Sequence, residues 1–165
     1  HRQSHFIAPG LAWLINTCHN ASEYGLTKDV VQKMGYFKEL DAAIESMRAL
    51  HKRGVHIMPG GDYGFAWTPH GTNAKDLEDF VKHIGMSNME ALLSATQWGA
   101  PMMRSAEPLG QIREGYLADL LLIDGDPLTD ITVLQDKSRI LAVMKDGVFA
   151  KHPPTTRAMP WERAA

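Results

Sequence analysis

The chain has 165 residues, enough for one domain whose core buries roughly 70% of the unfolded surface, and its 44% hydrophobic and 22% charged content is globular, not disordered. A formal net charge of −2 gives no reason to expect nucleic acid or an anionic membrane as partner. The single cysteine, Cys18, excludes an internal disulfide and fits a reducing compartment, so a cytoplasmic location is expected.

In chain order, the polar opening His1-Arg2-Gln3-Ser4-His5 is no signal peptide, and no apolar run approaches the ~20 residues of a membrane helix. The absence of an initiator methionine implies a chain that has been processed, truncated or cut from something longer. From Phe6 to Ile15 the apolar run predicts a buried strand opening into a loop, and residues 16 to 38 a long connection with a short helical turn. Leu40, Ala43, Ile44, Met47 and Leu50 then recur at helical spacing, with Gly54 as the stop. Val55-His56-Ile57-Met58 is a short apolar strand. A helix capped by Asn73 follows, with Asp76 in its first turn and an apolar stripe of Leu77, Phe80, Val81 and Ile84. Ser87-Asn88-Met89-Glu90 is a capping box that opens another helix.

This first part is α/β material, with a parallel crossover between its two strands. After Pro108 the pattern predicts strands at 110–112, 117–123, 140–144 and 148–150, with Asp146-Gly147 as a two-residue hairpin turn. The tail from His152 reads as extended. Three divisions follow: residues 1–106, 107–151 and 152–165. Two parallel strands make a poor core by themselves, so the α/β part reads as the end of a larger architecture.

The candidate chemistry centres on Gly60-Gly61-Asp62-Tyr63-Gly64. Asp62 follows a buried strand at its carboxyl end, where α/β proteins build their sites, and glycines let the backbone approach a ligand closely. Asp and Gly also dominate ordinary turns, so a turn role stands beside the ligand role. His70, in Thr68-Pro69-His70-Gly71, contacts substrate or a carboxylate that supports a ligand, or else shapes its loop; Tyr63 and Trp67 either line a pocket or cover the end of the α/β layer. His1 and His5 have the i,i+4 spacing of a zinc-protease helix, but Arg2 stands where the glutamate belongs. Cys18 reads as a small buried hydrophobe, His51 as exposed and His56 as a satisfied strand histidine.

Taken together, these segments resemble the carboxyl-terminal part of an amidohydrolase-superfamily enzyme of the imidazolonepropionase-like or dipeptidase-like branch. The residues that carry the resemblance run in order: Gly54-Val55, Pro59 to Gly64, His70-Gly71, Glu90-Ala91-Leu92, and Ala95-Thr96. They continue through Leu109-Gly110-Gln111-Ile112, Gly115 to Leu120, Asp124 to Leu128, and Val143 to Gly147. The resemblance implies the last strands and helices of a TIM-like (β/α)8 barrel, followed by strands of a small flanking β-sandwich. It implies that Asp62 is a metal ligand and the proton acceptor for the attacking water, and that Asp119 is structural; Tyr63 and His70 stay the loop's candidates for meeting substrate. Gly61 replaces the threonine usual before that aspartate.

The implied cofactor is one or two divalent ions, zinc above all, whose other ligands lie outside this chain. The implied partners are a small-molecule substrate and the upstream barrel strands of the same enzyme, with homo-oligomerisation left open. The expected function is therefore that of a carboxyl-terminal piece of a metal-dependent hydrolase of amide or other C–N bonds, inactive by itself. The alternatives are a non-catalytic binding or assembly module and one chain of a split hydrolase.

Overall fold

The computed structural model describes residues 6–154. The chain is α/β, with a small parallel sheet among helices and a separate antiparallel sheet. Strand β1 (Phe6–Ile7) pairs in parallel with β2 (His56–Ile57), Phe6 opposite His56 and Ile7 opposite Ile57. The crossover between them contains α1 (Leu11–His19), a 3-10 turn (Ser22–Tyr24), α2 (Lys28–Met34) and α3 (Tyr36–Lys52). After β2 come α4 (Lys75–Asp79), which continues as a π turn over Phe80–Ile84, and α5 (Asn88–Ala95).

The predicted strand over 6–15 is corrected here: only Phe6 and Ile7 are extended, and a helix begins at Leu11. Pro9 and Gly10 break the strand, Gly10 turning the chain with a φ of 61°. Beyond them Leu11, Leu14, Ile15 and Cys18 fall on one helical face and are all buried. The predicted long connection over 16–38 is corrected as well, since most of it is helical. These helices enclose the main core, in which Leu11, Ile15, Cys18, Val31, Leu40, Ile57, Phe80 and Ile84 pack together. Burial raises the Cys18 thiol above its ordinary pKa, so it behaves as a small hydrophobe.

The capping box is present as read: Ser87 Oγ accepts from the Glu90 backbone N–H, and the Glu90 carboxylate accepts from the Ser87 N–H at 2.8 Å. Asn73 does not cap α4; its side-chain oxygen accepts from Gly71 N–H instead. His51 is half-buried rather than exposed, with Nε2 3.7 Å from Glu90, and His56 stacks flat on Trp98 at 4.6 Å.

The second sheet is antiparallel in the order β3 (Leu120–Ile123), β4 (Ile140–Lys145), β5 (Val148–Lys151). Residues 110–112 form no strand, and β3 starts at Leu120 rather than 117. The hairpin between β4 and β5 turns at Asp146 and Gly147, with φ of 49° and 76°, the pair of positive values a type I′ turn requires. Asp119 fastens this turn: one carboxylate oxygen accepts from Lys145 Nζ at 2.5 Å and the other from Asp146 N–H at 2.7 Å. Apolar side chains stay in water on this sheet, Leu121 being 56% and Val148 71% exposed. A 3-10 turn (Ile131–Gln135) joins sheet to helices, packing Ile131 on Leu77 and Ala91.

Candidate functional site

The segment that leaves β2 is stitched down on both sides. Met58 N–H donates to Ile7 O at 2.7 Å, extending the sheet by one bond. Gly10 and Trp13, at the start of α1, donate their backbone N–H groups to Gly60 O (2.8 Å) and Gly61 O (3.0 Å). From the other side, Gly60 N–H donates to the Asp76 carboxylate on α4 at 2.8 Å. The close approach leaves no room for side chains: a Cβ on Gly61 would lie 2.7 Å from Ala12 Cβ, Asp76 Oδ1 and Tyr63 Cε2 alike. This is the physical reason for glycine where the resemblance expects threonine.

Asp62 is the next residue, held in the left-handed region at φ 56°. A non-glycine residue there costs of order 1–3 kcal/mol and persists only when its surroundings impose it. Its side chain begins beside the turn at Gly10. Asp62 is exposed, and among the described residues its carboxylate takes no hydrogen bond and no ion pair.

Two residues on, Gly64 and Thr68 close a tight loop, Gly64 N–H donating to Thr68 O at 2.9 Å. The His70 imidazole lies back over Gly64, its Nε2 3.3 Å from where a Cβ there would sit, so His70 returns to the Asp62 loop and is exposed. Tyr63 is half-buried and points inward, its hydroxyl 3.5 Å from Asn73 O and beside the Asp76 carboxylate. Burial, then the negative charge of Asp76, raises the phenol well above its ordinary pKa. Trp67 is tied to α1 by its indole N–H, which donates to Thr17 Oγ1 at 2.9 Å.

Asp76 stands in the first turn of its helix, as expected, but its burial was not foreseen. An acid in a first helical turn is usually a solvated partner of the helix dipole, yet Asp76 is 1% exposed. Burial pushes its pKa up to about 6 against the opposing bond from Gly60. Only the unusual glycine pair sixteen residues upstream hinted that something needed close access to this loop.

An apolar cavity of about 480 Å³ opens under Met58 and Pro59, walled by Thr96, Met102, Met103 and Leu109; Asp62, Tyr63 and His70 do not line it. Among the described residues no group of three or more His, Cys, Asp or Glu side chains gathers to hold a metal, and His1 and His5 lie outside those residues. A catalytic metal ordinarily takes about three protein ligands. Asp62, exposed and unpaired, suits one place in such a set; the described chain assembles no set of its own.

The profile of the amidohydrolase family matches residues 4–150. Ochratoxinase from Aspergillus niger is 34% identical over 114 residues, which span 68% of this chain and 23% of that protein. A putative prolidase from Bifidobacterium longum superposes with a TM-score of 0.77 at 26% identity, over 93% of this chain and 37% of that one. A Xaa-Pro dipeptidase with bound methionine in its active site gives 0.71 at 28% identity, over 88% and 34%. The chain thus spans about a quarter of the curated relative and about a third of the solved structures. With a family match over nearly its whole length, this chain belongs to the amidohydrolase family.

Proposed function

We propose that this chain contributes the carboxyl-terminal part of a metal-dependent hydrolase of amide or other C–N bonds, with Asp62 as its catalytic residue. The observation that carries the reading is the state of Asp62: a carboxylate at the carboxyl end of β2, forced into a left-handed conformation, exposed and without a partner among the described residues. A mere turn residue there would be expected to bond its own loop. Membership of the family and the likeness to a dipeptidase support a C–N substrate. In this reading β1, β2 and α1–α5 belong to the end of a (β/α)8 barrel that runs to residue 106, and β3–β5 to a flanking β-sandwich over 107–151; the expected tail over 152–165 lies, beyond Pro154, outside the described residues.

One or two divalent ions, zinc by preference, would supply Lewis acidity that lowers the pKa of water. Asp62 would be one ligand, the rest coming from upstream strands of the same enzyme. The Asp62 carboxylate accepts the proton of the attacking water and returns it to the leaving nitrogen, so that an amine departs as the C–N bond breaks. His70, folded back on the same loop, and Tyr63, half-buried beside the Asp76 carboxylate, would meet the substrate. The lone buried thiol suits a reducing, cytoplasmic setting. The test is turnover and bound metal in the complete enzyme carrying Asp62→Asn. Loss of turnover is expected, and near-normal turnover would remove the reading's main support.

A further inference from the structure

The residues on either side of Asp62 converge on a single buried carboxylate. Gly60 N–H donates to Asp76 Oδ2 at 2.8 Å. Asp76 Oδ1 fills the space a side chain on Gly61 would need, and the Tyr63 ring closes the same space from the other direction. The two carbonyls of this glycine pair are held from the α1 side, by Gly10 and Trp13. From the α4 side the Gly60 N–H is held by Asp76.

Left-handed backbone at an aspartate has to be imposed by what surrounds it. Resting on the reading of Asp62 given above, we propose that Asp76 is the positioning residue of the active site: by anchoring Gly60 and seating Tyr63 it holds the Asp62 carboxylate in its working orientation. Tyr63 is then a buttress as well, its hydroxyl turned towards Asn73 and Asp76. The energetics favour this over a role in stability alone. Burial raises the Asp76 carboxyl to about 6, so at neutral pH its charge weighs against the folded state, and an uncharged acceptor would bond Gly60 at less cost.

The experiment compares Asp76→Asn, which keeps an acceptor oxygen, with Asp76→Leu, which keeps the branching and removes the acceptor. Asp76→Ser, too short to reach Gly60, serves if the leucine variant does not fold. Each is made in the complete enzyme and measured for kcat and KM per folded molecule at saturating zinc. Hydrogen exchange of the backbone over residues 58–66 is followed alongside. Displacing a reacting group by about 1 Å can cost ~100-fold. Asp76→Leu or Asp76→Ser is therefore expected to lose ~10–100-fold in kcat, with KM within about threefold and faster exchange at Gly60. Asp76→Asn is expected to keep both kcat and protection. Unchanged kcat without the acceptor, or an equal loss in Asp76→Asn with exchange unaltered, would overturn the assignment. Asp62→Asn is run in parallel. Normal turnover there overturns the reading of Asp62 and this inference with it, whereas strong dependence on Asp62 with indifference to Asp76 overturns this inference alone.

Discussion

At the scale of single residues, Asp62→Asn keeps the size of the side chain and removes its charge and its basic oxygen. Asparagine enters the left-handed region at no greater cost than aspartate, so the loop that imposes it should survive. Positioned proton transfer is worth ~10²–10⁴ in rate, and turnover of the complete enzyme is expected to fall by that much, with weaker metal retention on dialysis. Asp119→Asn is the matched control. Asp119 is held below the ordinary carboxylate pKa by Lys145 first and then by the Asp146 N–H, and it stands just before β3. Its replacement should lower the melting temperature slightly and leave kcat alone. Gly61→Thr, which installs the residue that the resemblance expects, should do harm here. Ala12, Asp76 and Tyr63 already occupy the space, and overpacking of this kind costs about 1–3 kcal/mol. Equilibrium urea unfolding checks it, and an undiminished midpoint would show that the loop yields.

Helix α4 and its π turn carry two acids with opposite responses to pH. Burial works against the charge of Glu78, but hydrogen bonds from Lys82 and Gln135 outweigh it and bring the pKa from 4.5 to about 2. Its stabilising contribution is complete above the unfolded value of 4.5 and disappears as pH falls towards 2. Asp76 is the reverse: raised from 3.8 to about 6, it binds its proton more tightly when folded, and stability is lost as pH rises through that window. Denaturation from pH 3 to 7 should therefore show Asp76→Asn gaining on the wild type as pH rises. Glu78→Gln should lose most at pH 7 and converge on the wild type in acid. Parallel curves for either variant would contradict the assignment. How far these elements could be read beforehand depends on periodicity. Leu40, Ala43, Ile44 and Met47 repeat cleanly and α3 was legible, whereas Phe6 to Ile15 is apolar nearly throughout, and a buried helix and a buried strand then look alike. The break at Pro9-Gly10 is the usable signal, and a single strand over 6–15 passes over it.

At the scale of the molecule, the α/β part and the antiparallel sheet could be told apart in the sequence because hydrophobic spacing changes after Pro108. The candidate site was half legible. Asp62 stands at a strand end among glycines, a local pattern, while Asp76 reaches it through a contact sixteen residues away that no spacing rule encodes. The surface carries a further expectation. Leu121, Leu122, Val148 and Phe149 stand exposed on the antiparallel sheet, and among the described residues β1 and β2 pair only with each other. Exposed strand edges and apolar faces of this kind favour association. The 165-residue chain purified by itself is expected to self-associate and to show no hydrolase turnover with added zinc, since its described residues gather no metal set. Light scattering and a turnover assay decide this; a monodisperse monomer melting cooperatively would refute the first, and zinc-dependent turnover the second.

The hairpin turn at Asp146-Gly147 also sets how the protein ages. An aspartate followed by glycine is prone to cyclise, the glycine nitrogen attacking the aspartate side chain and leaving an isoaspartyl linkage. Here that nitrogen is engaged, Gly147 N–H donating to Ala118 O at 3.1 Å, while Asp146 N–H is held by Asp119. The folded sheet thus shields this Asp-Gly peptide. Isoaspartate at position 146 should accumulate mainly in molecules whose β3–β5 sheet has opened, making slow chemical damage a record of past unfolding.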